Sequence, residues 1–388
     1  MVKGRGRPAG IALETAKGQT QRWQPVPQHL QRVNFESYCN WEADLTSEQL
    51  HPPRFTREER QSYARRLLAI PVALFLAVTG AYLGLLVLVL AAPMLVAVPL
   101  AVPCGVLIGM LFILGHDAAH NSFTRSRRLN LVIGRLAFLP SLHAYSLWDL
   151  SHNRTHHLHN NVRGVDYVWE PKSPAEFRAQ SFARRGLYRF YRTPIGVAFY
   201  YLGVLWAPRL FIPWPFLIRR GRLVYWLDAG LVLGFLVLQA VGVIAIGAQF
   251  GHNAWTSVLT GMILPFLIWN GLMSFIIFFH HTHPTIGWFP DDAARTARMG
   301  ALSGTARVVF PTPFRQLVLG IMEHSAHHYA SGVPLYHLPG MQAALEAQGG
   351  ILTWQFSWRA YARICRQCKL YDYDAGRWVT FEDGARLL

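Results

Sequence analysis

Histidine is the residue type that stands out for chemistry, because its 17 copies nearly equal the 21 Asp and Glu residues. Many of these histidines fall into four short clusters rather than being spread along the chain. The clusters read H-D-A-A-H at 116–120, H-N-R-T-H-H-L-H at 152–159, H-H-T-H at 280–283 and E-H-S-A-H-H at 323–328. Neutral imidazole is a common ligand of zinc, copper, iron and nickel. The clusters therefore predict a metal site.

The spacing within the clusters predicts how the rings are shared between metals. Residues four apart lie on one face of a helix and can face one metal ion. In this chain such pairs are His116 with His120, His152 with His156, and His324 with His328. We expect His327 to lie beside the last pair, and His157, turned by about 100° from its neighbour, to reach a second metal. Eight imidazoles exceed the needs of one ion, so we predict two metal ions held mainly by imidazole.

The ligand types narrow the choice of metal. A structural zinc site takes about four ligands, often thiolates, and carboxylate-bridged di-iron bundles need two Glu-x-x-His motifs. This chain has one such motif, Glu48 to His51, and Pro52 and Pro53 follow it directly. We therefore predict an imidazole-rich di-iron centre. Further candidates, as additional ligands or as groups that orient the rings, are His159, His280, His283, Asp117, Asp149, Asn160, Asp166 and Glu323.

The elements that must position these histidines are predicted to be membrane spans. No Lys or Arg occurs between Arg66 and Arg125 or between Arg222 and Arg295, although the chain carries 37 of them. An uncharged apolar run of about 20 residues is long enough to cross a bilayer. We predict four spans, in two hairpins, at about 67–90, 95–115, 223–250 and 258–279. A soluble protein with buried core helices is disfavoured, because four such runs are rare in soluble folds.

The distribution of charge predicts an orientation. Cytoplasmic segments carry an excess of Lys and Arg, and both hairpin connectors lack them. We therefore predict a basic cytoplasmic tail over 1–44 and a single membrane domain over 45–388, with a cytoplasmic helical cap formed by 116–222 and 280–388. Both termini and the metal site then lie in the cytoplasm. Two interrupted apolar stretches, 129–145 and 195–213, are expected to be amphipathic helices on the membrane surface.

The net charge of +16 does not require a nucleic-acid partner. Basic groups on the cap are expected to face lipid headgroups or an acidic electron donor, and the sequence leaves both open. A membrane metal transporter is disfavoured, because it would need polar ligands at mid-span. The four predicted spans hold no histidine at their centres.

The clusters resemble the three histidine boxes of membrane fatty acid desaturases. The flanking segments F-H-H-T-H-P, V-P-L-Y-H-L and K-L-Y-D-Y-D-A-G-R-W are similar to those of the methyl-end acyl-lipid desaturases, of delta-12 and omega-3 type. The resemblance covers about residues 65–380. Since the third box begins with histidine and not glutamine, the front-end desaturases fit less well.

This resemblance implies an all-α membrane protein, with four transmembrane helices and a cytoplasmic cap that holds two irons. A ninth family histidine lies between boxes two and three, where His281 is the best match and His283 its rival. The box spacing of three residues between His152 and His156 is within the family's range. The ligands implied are His116, His120, His152, His156, His157, His281, His324, His327 and His328.

The implied reaction is the insertion of a cis double bond into a lipid-linked acyl chain, with O2 as co-substrate. The substrate is expected to carry one double bond already. Ferredoxin or cytochrome b5 would supply electrons, since the chain has no flavin or nicotinamide fingerprint. A fatty acyl hydroxylase or a related di-iron oxygenase shares the same boxes and stays open as an alternative. The acyl chain needs an apolar tunnel, for which residues 129–147 and 194–215 are candidate walls.

Overall fold

The computed structural model describes residues 53–214 and 223–387, so the predicted tail over 1–44 lies outside the described residues. Helices predominate. Before the gap they are α1 (Arg57–Tyr63), α2 (Ala69–Ala91), α3 (Met94–Ala119), α4 (Arg127–Phe138), α5 (Tyr145–Ser151), the π-helical segment π1 (His152–His156), α6 (His157–His159), α7 (Pro174–Arg178), α8 (Phe182–Tyr191), α9 (Val197–Tyr200) and π2 (Tyr201–Leu210).

The helices after the gap begin with a long one and end near the last residue described. They are α10 (Leu223–Gln249), α11 (Ala254–Val258), π3 (Leu259–Ile263), α12 (Leu264–His281), α13 (Asp292–Ala297), α14 (Gly300–Ser303), α15 (Thr312–Leu317), α16 (His324–Tyr329), α17 (Leu338–Gln348), α18 (Trp358–Gln367) and α19 (Phe381–Arg386).

Four helices are long and apolar enough to cross a membrane: α2, α3, α10 and the continuous helix Ala254–His281, which comprises α11, π3 and α12. They match the four predicted spans to within about four residues at each end. On α2 and α10, large apolar side chains such as Leu76 and Leu238 are well over half exposed, as expected for side chains that face lipid. Helices α3 and α12 pack against each other and are the most buried of the four.

From the sequence, Thr56 and Glu59 predict a capping box at the start of a helix that runs on into the first span. The structure confirms the capping box but not the extension. The Thr56 hydroxyl accepts from the Glu59 N–H while the Glu59 carboxylate accepts from the Thr56 N–H, which is a capping box. The sequence predicts that this helix runs on into the first span. Instead α1 ends at Tyr63, and α2 begins only at Ala69.

The described residues are mostly helical, as expected, and they also contain two small two-stranded sheets. Strands β1 (Arg307–Val309) and β2 (Thr353–Gln355) pair in parallel, and β3 (Leu370–Asp372) and β4 (Arg377–Val379) pair antiparallel. Each strand is three residues long, too short for an alternating pattern to be visible. The first sheet ties the chain just before the last histidine cluster to a segment more than forty residues further on.

The two interrupted apolar stretches differ from each other. Residues 129–145 lie mostly in α4, whose buried face includes Ile133, Ala137 and Phe138. Residues 195–213 form α9 and then π2, which contains Pro208. Neither stretch is among the four helices that are long and apolar enough to span a membrane, in agreement with the expectation that they do not cross.

Candidate metal centre

The structure brings all nine predicted ligands together in two groups. In each group the ring nitrogens lie within 4.8 Å of one another, an arrangement that could hold a metal ion. Group 1 consists of His116, His120, His152, His157 and His327, and group 2 consists of His156, His281, His324 and His328. Every histidine in group 2 is buried, whereas three of the five in group 1 are half-buried.

Group 1 is assembled from three elements: the last turn of α3, the π1–α6 segment and α16. The Nε2 atom of His157 lies 3.0 Å from Nε2 of His152 and 2.9 Å from Nε2 of His327. Two imidazole nitrogens bound at about 2.1 Å to one metal, and at right angles, lie roughly 3 Å apart. The Nε2 of His120 is buried and has no hydrogen-bond partner among the described residues. These rings are therefore spaced and oriented as metal ligands would be.

The second histidine box divides differently from the expectation. The sequence predicts that His152 and His156 face one metal, with His157 reaching the other. In the structure His152 and His157 share group 1, and His156 belongs to group 2. The cause is π1, where the N–H of His157 donates to the carbonyl of His152, five residues earlier. The wider turn of a π-helix aligns residues five apart instead of four.

The third box also divides between the groups. His324 and His328 face group 2 together, as residues four apart should, but His327 points into group 1. The sequence predicts that His327 lies beside that pair, and this is wrong, because the ring of His327 belongs to the other group. A single short helix, α16, thereby contributes to both groups.

Group 2 has hydrogen bonds that fix its rings. His156 Nε2 lies 3.1 Å from His281 Nε2, which lies 2.9 Å from His324 Nε2. The Nδ1–H of His156 donates to Asp166, whose two carboxylate oxygens lie 3.0 and 3.1 Å away, and Nδ1–H of His281 donates to the carbonyl of Gly304 at 3.1 Å. Such partners hold the ring and leave the Nε2 lone pair directed at a metal.

The electrostatics of the site favour neutral rings. Desolvation on burial, reinforced by the neighbouring rings, lowers the pKa of His120 to about 3. The same causes lower the pKa of five other group members well below the usual value: His152, His157, His324, His327 and His328. Neutral imidazole is the form that binds metals.

The other candidate histidines lie outside both groups. His280 stacks on His324 with ring centroids 3.7 Å apart. The Nδ1 atom of His283, the rival for the ninth position, lies 2.8 Å from the hydroxyl of Thr285. His159 donates from Nδ1 to Asp292 at 2.7 Å, at the surface.

Of the five polar candidates, only Asp166 contacts a histidine of either group through its side chain. Asp117 accepts from the N–H of Leu335 at 2.8 Å. Asp149 accepts from Asn153 and pairs with Arg154.

Asn160 and Glu323 support the backbone around the site. Asn160 donates to the carbonyl of Gly300 at 2.7 Å and accepts from Arg295 at 2.8 Å. Glu323 is buried and pairs with Arg307 at 2.6 Å and with Arg315 at 2.7 Å. These contacts hold the end of α6, which carries His157, and the start of α16, which carries His324. Asn160 and Glu323 therefore act on the site only indirectly.

Two cavities meet beside the histidines. Cavity A is apolar apart from its histidines. It is lined by Val106, Gly109, Phe112, Ile113, His116, His152, Trp269, Leu272, Met273, Ile276, Ile277, His280, Leu317, Val318, Ile321 and His324. Most of these side chains come from the facing helices α3 and α12.

Cavity B shares two of these histidines with cavity A. It is lined by Trp148, Ser151, His152, His156, Tyr167, Val168, Tyr201, Leu205, Leu210, Met273, Ile277, His281 and His324. The two cavities share His152, from group 1, and His324, from group 2, together with Met273 and Ile277. The junction of the cavities is therefore flanked by both groups.

The candidate tunnel walls are only partly as expected. Residues 194–215 contribute Tyr201, Leu205 and Leu210 to cavity B, but residues 129–147 line neither cavity. The ring of Phe138 instead packs behind Phe112, with centroids 5.1 Å apart. Sequence analysis missed the α3 and α12 side chains, although their spacing of three and four residues, in line with the histidines, was the available signal.

Comparison with known proteins adds an independent finding. Residues 93–358 match the family model described as fatty acid desaturase. An sn-1 oleoyl-lipid 12-desaturase of Synechocystis sp. is 30% identical over 270 residues, which is 68% of this chain and 73% of that protein. A chloroplastic omega-6 fatty acid desaturase of Arabidopsis thaliana is 28% identical over 277 residues, covering 69% of this chain and 58% of the relative. An sn-1 acyl-lipid omega-3 desaturase (ferredoxin) of Synechocystis sp. is 32% identical over 240 residues, covering 60% of this chain and 63% of the relative.

Proposed function

The chain belongs to the fatty acid desaturase family and is an oxidoreductase, and we propose that it inserts a cis double bond into a lipid-linked acyl chain that is already monounsaturated. The observation that carries the proposal is the meeting of cavities A and B between two groups of histidines. The name of the Synechocystis relative specifies an oleoyl lipid, which is such a chain. The net reaction removes two hydrogens from neighbouring carbons of the acyl chain and reduces O2 to two water molecules. Two electrons from a donor protein and two protons from the solvent complete the balance.

We propose that groups 1 and 2 each hold one iron ion, and that the nine histidines of the two groups are the ligands. The ring spacings near 3 Å, the inward Nε2 atoms and the neutral imidazoles all fit a metal. Imidazole without thiolate suits iron as well as zinc or copper, and iron alone of these suits the O2 chemistry of this family. When bound, the irons supply the oxidising power that unactivated C–H bonds require.

The contribution of the protein itself is to position and enclose the substrate. Apart from its histidines, cavity A is lined by apolar side chains, which exclude water and suit the hydrocarbon of an acyl chain. Met273 and Ile277 line both cavities, as do His152 and His324. A chain that passes from one cavity into the other would therefore place a single pair of carbons between the two groups.

The proposed setting is the cytoplasmic face of a membrane. Four apolar helices support a membrane location, and the positive-inside rule supports cytoplasmic termini and a cytoplasmic site. We propose that ferredoxin or cytochrome b5 supplies the electrons. Group 1 is less buried than group 2. Arg154 and Leu158, close to its His157 in the sequence, have exposed side chains. A basic and apolar surface of this kind suits an acidic donor.

The test is expression in a host that makes only saturated and monounsaturated lipids, followed by mass spectrometry of fatty acid methyl esters. We expect a new diene. His156→Ala in group 2 and His327→Ala in group 1 should each abolish it. His159→Ala, which changes a box histidine outside both groups, should retain it. A diene that persists in either of the first two variants would refute the ligand assignment.

Product and metal analyses separate the alternatives. A hydroxylated fatty acid as the main product would favour the acyl hydroxylase instead of the desaturase. Elemental analysis of purified protein should give two irons per chain, and His327→Ala and His156→Ala should each lower that number. Fully active protein containing zinc and no iron would contradict the proposed centre.

A further inference from the structure

His280 is a buried histidine beside the metal centre that belongs to neither group. It lies in the last turn of α12, one residue before the proposed ligand His281. The residue is only 1% exposed, and neither ring nitrogen has a hydrogen-bond partner among the described residues. Buried polar atoms are nearly always paired, because an unpaired one has lost its hydrogen bonds to water. The ring of His280 therefore lacks a partner that the described part of the chain does not supply.

The stacking of His280 argues against its being a further metal ligand. Its ring lies on that of His324, with centroids 3.7 Å apart and planes 13° from parallel. A metal ion binds an imidazole nitrogen in the plane of the ring, at about 2.1 Å. An ion in the plane of His324 lies well out of the plane of His280, where the ring has no lone pair. His280 therefore lies next to the proposed group 2 metal without binding it.

His280 lines cavity A together with His116 and His152 from group 1 and His324 from group 2. No carboxylate is among the described residues that line this cavity. A charged imidazolium would therefore be buried there without a counter-ion, which is costly. The neutral ring has one N–H donor and one acceptor nitrogen. His280 thus adds a hydrogen-bond donor to a wall that also carries ligands of both groups.

The reactants of the proposed function limit what this donor can bind. The acyl segment in cavity A is hydrocarbon and has no oxygen or nitrogen atom that accepts a hydrogen bond. Among the reactants that meet in the cavity, O2 alone brings acceptor atoms. We propose that the ring N–H of His280 donates a hydrogen bond to dioxygen bound at the metal centre. This inference rests on the proposed di-iron desaturase function and gives His280 the role of holding O2 and not of holding iron.

The test uses azide as the probe, a small anion that binds to oxidised iron and accepts hydrogen bonds. Azide is titrated into the purified, oxidised holoprotein, and its affinity is measured from the absorption band of the iron–azide complex. His280→Phe keeps an aromatic ring without a donor and should weaken azide binding about tenfold, the effect expected for one hydrogen bond. His280→Gln keeps an N–H donor and should stay within about threefold of the wild type. Both variants should retain the iron content of the wild type.

A second measurement follows the fate of O2 during turnover. Dioxygen that is held less firmly leaves before the acyl chain reacts, as hydrogen peroxide formed with two electrons from the donor and two protons. His280→Phe should therefore release more peroxide per electron consumed than the wild type, and His280→Gln should not. His283→Phe is the matched control, because His283 is a buried histidine of the same cluster that lines neither cavity. It should change neither the azide affinity nor the peroxide release.

Equal azide affinity in the wild type and in His280→Phe would overturn the inference. Loss of iron from both His280 variants would also overturn it, because His280 would then be a metal ligand. If His280→Phe does not fold, the wild type decides: exchange of H2O for D2O should shift the vibrational frequency of bound azide, and the absence of a shift would overturn the inference. Wild-type protein that contains iron and binds azide but makes no diene would instead refute the proposed function.

Discussion

Two aspartate–histidine pairs, whose histidines are three residues apart in the sequence, illustrate how residues of one type differ in role. Asp166 and His156 form a buried pair at 3.0 Å, and the histidine belongs to group 2. Asp292 and His159 form a pair at 2.7 Å at the surface, outside both groups. The first pair holds a proposed ligand in place, whereas the second connects α6 to α13.

We expect Asp166→Asn to weaken metal binding at group 2 by about 10- to 100-fold, because partners of ligating histidines have effects of that size. The amide keeps the shape of the carboxylate but loses the charge that makes Asp166 a strong acceptor for the Nδ1–H of His156. Metal content after dialysis against a chelator, and diene yield, would both fall. Asp292→Asn is the matched control and should retain both. Equal metal content in the two variants would contradict a special role for Asp166.

At the residue scale, the sequence identifies the histidine ligands better than it identifies the contacts of the polar residues around them. The nine histidines brought together in the structure are those that the resemblance to desaturases implies, and the predicted family is confirmed. The partners of Asp117 and Glu323 could not be predicted, because they lie on separate elements of the chain, whereas Asp149 meets partners four and five residues away. His157 and Glu323 illustrate contacts between separate elements, since each meets its partners across helices whose packing is not visible in a motif.

Among the elements, π1 explains the spacing of the second histidine box. The box has three residues between His152 and His156, and the π-helical turn puts His152 and His157 on one side. With one residue fewer, the first and last histidines of the box would be four apart, and an ordinary α-helix would align them equally well. A π-turn commonly accommodates a single inserted residue in this way.

Deletion of Arg154 should therefore retain both groups. Arg154 is the residue of choice because its side chain is more than half exposed, so its loss removes little packing. We expect the deletion variant to bind metal and to produce diene at a reduced level. Insertion of one alanine after Arg154 should eliminate group 1 metal and activity, since His152 and His157 would then be six apart. Arg154→Ala controls for the lost side chain. Loss of metal in the deletion variant alone would contradict this account of π1.

The membrane spans were predictable and the small sheets were not, for the same physical reason. A span is specified by its own residues, because an uncharged apolar run is sufficient, and α2 and α10 begin within two residues of the expected positions. Strands β1 and β2 exist only because Arg307 and Thr353 meet across the cap. Three residues carry no pattern of their own, so such a pair is specified by the tertiary fold.

For the whole molecule, we propose one orientation in the membrane from the distribution of charge and the position of the site. The long apolar helices lie in two stretches of sequence, 67–124 and 223–294, and all Lys and Arg residues lie outside these stretches. The histidine groups lie at the ends of α3 and α12, opposite to the neutral connectors at residues 92–93 and 250–253. If basic segments remain in the cytoplasm, then the site faces the cytoplasm and both connectors face the other side.

Cysteine labelling tests this orientation directly. In a Cys39→Ser parent the remaining cysteines, Cys104, Cys365 and Cys368, are buried, so the parent should react little with a membrane-impermeant maleimide. Ala254→Cys lies next to the second connector. It should be labelled in cells whose cell wall and outer membrane have been removed and whose inner membrane is intact. Ala385→Cys, exposed near the end of the chain, should be labelled only after the membrane is permeabilised. The reverse pattern would invert the molecule and place the proposed centre away from cytoplasmic electron donors, whereas labelling of both sites in intact cells would require an even number of crossings between them and would contradict a single crossing by the helix Ala254–His281.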